Sequence, residues 1–223
     1  MKFSIIIPTY NASEFLEFTL QDLVNFTNGD FEILLGFKNA TPEVKEVADK
    51  FSRKYRYIKK MRTSSDEVYQ KINELVKLSS NEKVVFLNDD MAFSPDWNVD
   101  LVSRIRKDTF VVAQVFDSNY LNDGIEAGNH PKEFNREYFY SKIKEYQRRK
   151  IKTRFFPMPL GFMKADFLEV GGYPNSNYFP YPNDLEFLNK LGMLNKKFDF
   201  AENSFVYHFI RGSQREDNLG LTY

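Results

Sequence analysis

The chain has 223 residues and balances 31 Lys/Arg against 31 Asp/Glu, so its formal charge is zero and no whole-protein field argues for nucleic acid as a partner. It has no cysteine, which excludes disulfides, thiolate metal sites and a cysteine nucleophile and leans towards the cytoplasm. Its 42% hydrophobic and 28% charged residues are those of a soluble globular protein long enough for a sizeable core, with aromatics spread from end to end.

Phe3 to Ile7 is a short apolar run ending at Pro8, as expected of a first strand covered on both faces; it is too short for a signal-peptide core. No stretch approaches the roughly 18 apolar residues of a membrane span, so the expectation is a soluble, cytoplasmic protein. Ser13 reads as the N-cap of a helix bearing Phe15, Leu16, Leu20, Leu23 and Val24 on one face. A second strand is predicted over Phe31 to Phe37, and a helix over Pro42 to Lys54 with its proline in the first turn. Another helix is predicted from Asp66 to Leu78, a strand from Val84 to Leu87, a helix from Pro95 to Arg106 and a strand from Phe110 to Phe116.

This alternation predicts an α/β fold with a mostly parallel central sheet and helices on both faces. Ligands of such sheets bind beyond the carboxyl ends of the strands. Pro8-Thr9-Tyr10-Asn11, Lys38-Asn39 and Asn88-Asp89-Asp90 all fall there, so three polar tips converge on one edge. Adjacent carboxylates closing a buried strand repel each other and cost desolvation energy. A hard divalent cation, Mg²⁺ or Mn²⁺, would offset that cost; a turn with an Asp N-cap before the Pro95 helix is the other reading.

The second half is less regular. Residues 132–154 hold nine Lys/Arg against three Asp/Glu, with Phe134, Tyr138, Phe139, Tyr140 and Tyr146 interleaved. This is either a solvated amphipathic helix or a face for an anionic acceptor or a lipid-headgroup surface. Trp97 reads as a packing residue at a helix start, and Gly171-Gly172 as a tight turn; no phosphate-cradling glycine pattern occurs.

Four blocks carry a resemblance. "FSIIIPTYNASEFLEFTLQDL" resembles the opening of the family 2 glycosyltransferases of GT-A fold, a strand followed by Pro-x-Tyr-Asn and a helix. "KINELVKLSSNEKVVFLNDDM" resembles the central block of that family, where an Arg-Asn pair precedes an Asp-x-Asp motif by fifteen residues. Asn73 keeps the spacing of fifteen to Asn88, with Ile72 in place of the Arg. "PLGFMKADFLEVGGYPNSNYFPYPNDLEFLNKL" is similar to the third block, and "VYHFIRGS" to the late strand with a His. The resemblance runs from residue 3 to about 212.

What it implies is a single GT-A domain over 1–223, with a nucleotide-sugar half (1–115) and an acceptor half (116–223). Its activity would be inverting, metal-dependent transfer of a sugar from a nucleotide-diphosphate sugar, UDP-sugar favoured, to a glycan, lipid or protein hydroxyl. Pro8, Thr9, Tyr10 and Asn11 would line the nucleotide pocket, with Lys38, Asn39, Asn73 and Arg211 also on the donor and Asn88 or Asp89 facing the ribose. Asp90 would be the metal ligand, with His208 completing the shell of Mn²⁺ or Mg²⁺. Asp184 would be the general base, and Gly161, Asn183 and Glu186 would face the acceptor. Peripheral membrane contact would fall on 132–154.

Besides Ile72, the chain departs from that pattern in three places. "GFKNATPE" carries no acid before Glu43 where the family has a base-reading Asp, so Lys38 or Asn39 stands in. Asn183 replaces a Glu, and Asn88 replaces the first Asp of the metal motif. Two competing readings are a GT-A domain that binds without turnover and a nucleotidyltransferase. The second normally needs a Gly-rich basic loop after the first strand, which "PTYNASEF" lacks.

Overall fold

In the computed structural model, which describes residues 1–118, 125–174 and 183–209, strand and helix alternate through the first half as the periodicity implies. The elements are β1 (Lys2–Pro8), α1 (Ser13–Phe26), β2 (Asp30–Phe37), α2 (Pro42–Lys54), β3 (Ile58–Arg62), α3 (Val68–Leu78), β4 (Lys83–Phe86), β5 (Met91–Phe93), α4 (Trp97–Arg104) and β6 (Thr109–Asp117). A 3₁₀ turn (Pro131–Glu133) then leads to α5 (Arg136–Arg149), β7 (Leu160–Met163), α6 (Lys164–Glu169), α7 (Asn183–Met193) and β8 (Lys197–His208). All eight strands join one sheet in the order β3-β2-β1-β4-β7-β6-β8-β5, with β7 and β5 antiparallel to their neighbours.

Central position explains the continuous apolar runs. In β1 every residue after Lys2 is buried, because β2 and β4 flank it and helices cover both faces. On one face α1, α2 and α4 contribute Leu16, Leu20, Val44, Phe51, Trp97 and Leu101. On the other, α3, α6 and α7 contribute Ile72, Leu75, Phe167, Phe187 and Leu191. A third, aromatic cluster gathers Phe116, Phe139, Phe205 and Tyr207 under α5.

Several local expectations need correction. Ser13 is the first helical residue of α1, and Ala12 precedes it without a side-chain cap. The third helix begins at Val68, not Asp66, because the Asp66 carboxylate is engaged by Asn39. The Pro95 helix begins at Trp97, after Asp96 adopts a left-handed conformation (φ 57°). Trp97 does pack at that start, fully buried, with its indole N–H donating to Thr27 Oγ1 at 3.1 Å. Three strands lay outside the expectation, β7 among them. "IKKMR" is a charged edge strand with one buried residue, and "MAF" has only three residues.

Gly171 and Gly172 form the expected turn, with φ of 82° and 69°. A Cβ on Gly172 would lie 2.4 Å from Asn73 Oδ1, so only glycine lets α3 approach this turn. Between Ala113 and Gln114 of β6 the register with β8 jumps from Ala201 to Phe205, leaving residues 202–204 outside the ladder.

The basic stretch is neither wholly solvated nor wholly free. α5 buries Phe139 and Ile143, and Arg136 in its first turn donates to Asp22 of α1 at 2.6 Å. The guanidinium lies 5.6, 5.0 and 5.2 Å from the rings of Phe18, Phe26 and Phe134. At the amino ends of β6 and β8, Lys196 Nζ lies 2.6 Å from Asp108, 3.2 Å from Asp166 and 2.6 Å from Glu169. Among the described residues no helix is long and apolar enough to cross a membrane.

Candidate active site

A cavity of about 480 Å³ opens at the carboxyl ends of β1 and β4, where the sheet delivers the polar tips. Pro8, Thr9, Tyr10 and Asn11 all line it, leaving β1 as a loop anchored by Thr9 N–H to Gly36 O at 2.9 Å. The Thr9 carbonyl accepts from Lys71 Nζ at 3.0 Å. Lys71 is almost fully buried on α3, and this burial lowers its pKa against the pull of Asp66, Asp89 and Glu67. Its ammonium lies 5.3 Å from the Tyr10 ring centroid.

Asn88, Asp89 and Asp90 line the same cavity from the tip of β4. The buried Thr19 hydroxyl of α1 fixes this turn, accepting Met91 N–H at 3.0 Å and lying 3.0 Å from the Asp89 carbonyl. Both carboxylates are buried, and burial first, then the neighbouring Asp90 charge, raises the pKa of Asp89. β8 ends on His208, whose Nε2 is 3.3 Å from Asp90 Oδ1 and whose Nδ1 is 3.3 Å from Asp117 Oδ1. Burial opposes the charged imidazolium, but Asp90 and Asp117 outweigh it and push His208 up to about 9.

Asp184, in the first turn of α7, reaches the cavity from the opposite wall. Its Oδ2 accepts from the Tyr69 hydroxyl at 2.9 Å. Burial raises its pKa, and the Tyr69 bond works against that rise. Of the six buried side-chain polar atoms lacking a hydrogen-bond partner among the described residues, four belong here: Thr9 Oγ1, Asn11 Nδ2, Asp90 Oδ1 and Asp184 Oδ1. Asp90 Oδ1 is in charge contact with His208 without being hydrogen-bonded to it. Buried polar atoms are nearly always satisfied, so four orphans around one cavity mark where a ligand's atoms belong.

A carboxylate oxygen in that state beside an imidazole nitrogen is a donor set suited to Mn²⁺ or Mg²⁺. The tightest acidic group elsewhere, Asp108 with Asp166 and Glu169, is not comparable, because the Lys196 ammonium already sits among its oxygens. A larger groove of about 850 Å³ between α1 and α2 is lined by charges that pair with one another, such as Lys50 with Glu17.

The expected residues do not all meet. Thr9, Tyr10, Asn11, Asn88, Asp89, Asp90, Asp184, His208 and Pro8 converge, whereas Lys38, Asn39, Asn73, Gly161 and Glu186 do not line the cavity. Asn39 instead holds the Asp66 carboxylate with its N–H (3.1 Å) and Nδ2 (2.6 Å), and Asp66 lines the cavity. Asn73 clamps the Tyr173 backbone at both N–H and C=O, each at 2.9 Å. Gly161 lies within β7, where a Cβ would come 2.7 Å from Leu101, so its smallness serves α4 packing. Glu186 sits 3.9 Å from Lys190 along the exposed side of α7. The side chain of Asn183 and all of Arg211 lie outside the described residues.

Asp66, Tyr69, Lys71, Phe156 and Met158 also line the cavity and were not singled out from sequence. Lys71 had a signal: it immediately precedes Ile72, the position where the resemblance calls for a cation. Phe156 had none, although its ring lies 5.1 Å from that of His208.

The family model described as glycosyl transferase family 2 matches residues 4–171. Poly(ribitol-phosphate) beta-N-acetylglucosaminyltransferase TarS, in two strains of Staphylococcus aureus, is 22% identical over 202 residues, covering 79% of this chain and 33% of TarS. The chain therefore spans about a third of the length of these curated relatives. Among solved structures, GalNAc-T7 with UDP, GalNAc and Mn²⁺ superposes with a TM-score of 0.68 at 16% identity, over 93% of this chain and 44% of that one. S. aureus TarS 1–349 gives 0.67 at 16% identity, over 97% of this chain and 63% of that one. At these identities the structural likeness concerns the fold.

Proposed function

Because the chain belongs to glycosyl transferase family 2 and has the GT-A fold, we propose that this cavity binds a nucleotide-diphosphate sugar and transfers its sugar, with inversion, to an acceptor hydroxyl. The observation that carries the reading is the set of four orphaned polar atoms around one cavity at the carboxyl edge of the sheet. Pro8, Thr9, Tyr10, Asn88 and Asp89 line the cavity; on this reading the first three wall the nucleotide side, and Asn88 or Asp89 faces the ribose. The UDP in the GalNAc-T7 structure supports a UDP-sugar, and residues 1–115 then form the donor half.

Asp90 Oδ1 and His208 Nε2 would hold the cation. When bound, it neutralises charge on the departing diphosphate. Asp184 Oδ1 takes the proton of the acceptor hydroxyl as that oxygen bonds to the anomeric carbon and the diphosphate leaves with the electron pair of the broken C–O bond. Burial suits this role by bringing the carboxylate nearer the operating pH, and such a base contributes about 10²–10⁴-fold. What favours a domain without turnover is the missing base-reading acid after β2 and the weakened motifs, Ile72 in place of an Arg on α3 among them. Asp66 and Lys71 supply counterparts to that acid and that Arg within the cavity wall, which supports an active site.

For the acceptor we propose a phosphate-bearing chain, as the relative's name suggests for TarS. Arg148, Arg149, Lys150, Lys152 and Arg154 are exposed along the segment that runs from α5 to Phe156 at the cavity wall. Thr153 ties that segment to β6 through Gln114 Oε1 (2.8 Å) and Val115 N–H (3.0 Å). The same cations suit an anionic membrane surface, the competing partner for 132–154.

The test is a thermal-shift panel of UDP, GDP and TDP with and without Mn²⁺. At a hundred times Kd, linkage predicts a rise of roughly 5–11 °C with the matching nucleotide plus Mn²⁺. Asp90→Asn removes the Mn²⁺-dependent part, and Asp184→Asn keeps the rise but loses transfer. A flat panel would sink the nucleotide-sugar reading.

A further inference from the structure

Resting on the reading of Asp184 as the base, we infer that Tyr69 is its positioning residue: the phenol hydroxyl holds Oδ2 so that Oδ1 is presented to the acceptor. The two residues are 115 positions apart in sequence, yet the hydroxyl lies 2.9 Å from Oδ2 while Oδ1, on the same carboxylate, is buried without a partner. A carboxylate with no such anchor can rotate and offer either oxygen. One hydrogen bond at Oδ2 fixes the rotation and favours the anion.

The anchor is itself held. The Tyr69 ring lies 5.0 Å from that of Tyr173, which stacks at 4.2 Å on Phe187, one helical turn beyond Asp184. Asn73, one turn beyond Tyr69 on α3, grips the Tyr173 backbone with two bonds of 2.9 Å. α3 therefore fastens α7 at two points, once through stacked rings and once through the carboxylate. Tyr69 remains a donor because burial and the Asp184 charge push its phenol above the ordinary range. The titratable groups around Asp184 are Tyr69 and Lys71 from α3 and Tyr173 from the glycine turn, with Asp89, Asp90 and His208 across the cavity.

Tyr69→Phe removes one oxygen and keeps the ring. Carboxyl ¹³C NMR of Asp-labelled protein follows the Asp184 resonance against pH, assigned by its disappearance in Asp184→Asn. Loss of the bond should move the midpoint about one pH unit upward or more. Donor turnover should fall about 10-fold or more, with KM for the nucleotide sugar and the UDP–Mn²⁺ thermal shift unchanged. An Asp184 midpoint identical in the two proteins overturns the inference, as does a loss of the UDP–Mn²⁺ shift in Tyr69→Phe, which would make the tyrosine a structural prop of the nucleotide side. If Asp184→Asn keeps its transfer activity, the base assignment falls, while the titration still decides whether Tyr69 governs this carboxylate.

Discussion

Two groups of carboxylates occupy opposite ends of the same sheet and are compensated differently. At the amino ends of β6 and β8, Asp108, Asp166 and Glu169 surround Lys196, and the charge balance is closed within the protein. At the carboxyl ends, Asp89, Asp90 and Asp184 share one imidazole, one phenol and a buried lysine, and two of their oxygens accept no hydrogen bond. By proximity alone the first group looks more like a metal site, since its oxygens lie within 4.8 Å of one another. What separates architecture from a binding place is the missing partner, not the density of acids.

The comparison breaks if the two groups answer alike to charge removal. Lys196→Met should cause the largest effect, because it strands Asp166 in the interior; the melting temperature should drop by roughly 6–12 °C. That deficit should shrink in acid. Lys196 lowers the Asp108 pKa, so its stabilisation is present above the ordinary carboxylate range and fades as pH falls through the depressed value. Thermal melts of both proteins should therefore draw closer together as pH falls below the ordinary carboxylate range. A gap independent of pH would mean that packing of the lysine stem, not its charge, is what matters.

Asp90→Asn should behave in the opposite way. It removes repulsion against Asp89 together with the His208 contact, so the unliganded melting temperature should stay within about 2 °C of wild type. A large unliganded loss would make the upper group architectural as well. The smallest effect on stability is expected from Arg148→Glu with Lys150→Glu, within about 0.5 kcal/mol. Transfer to a phosphate-bearing acceptor should weaken in a salt-dependent way, while hydrolysis of the donor is unaffected. Equal transfer to neutral and phosphorylated acceptors would remove the anionic assignment.

Much of this was legible before any coordinates. β1, β2, β4 and β6 are buried on both faces and announce themselves as apolar runs, and the ends of β1 and β4 carry residues that meet in the cavity. Asp90, Asp184 and His208 were legible only through the order of four blocks, since nothing in local spacing brings residues 90, 184 and 208 together. Asp66 just ahead of α3, and Tyr69 and Lys71 in its first turn, escaped because neither a pre-helix loop nor a first turn gives a periodic cue to which side chains face a cleft. Asn73 illustrates the converse. Its position matched a motif, but its amide is used by the backbone of Tyr173, a contact that depends on Gly172 having no side chain.

The unpaired stretch of β8 sets the phase of everything after it. Four residues beyond Ala113 is Asp117, and four beyond Ala201 is Phe205; the observed partner of Asp117 is His208. Residues 202–204 thus act as a spacer, and because their number is odd they also exchange which residues of the strand face each side of the sheet. If those three residues were instead paired in an unbroken ladder past Ala201, Phe205 would stand opposite Asp117 and present a phenyl ring to it in place of the imidazole. Whether three residues remote from the cavity join the ladder or loop out of it, as much as any residue in the cavity, determines whether a histidine arrives there.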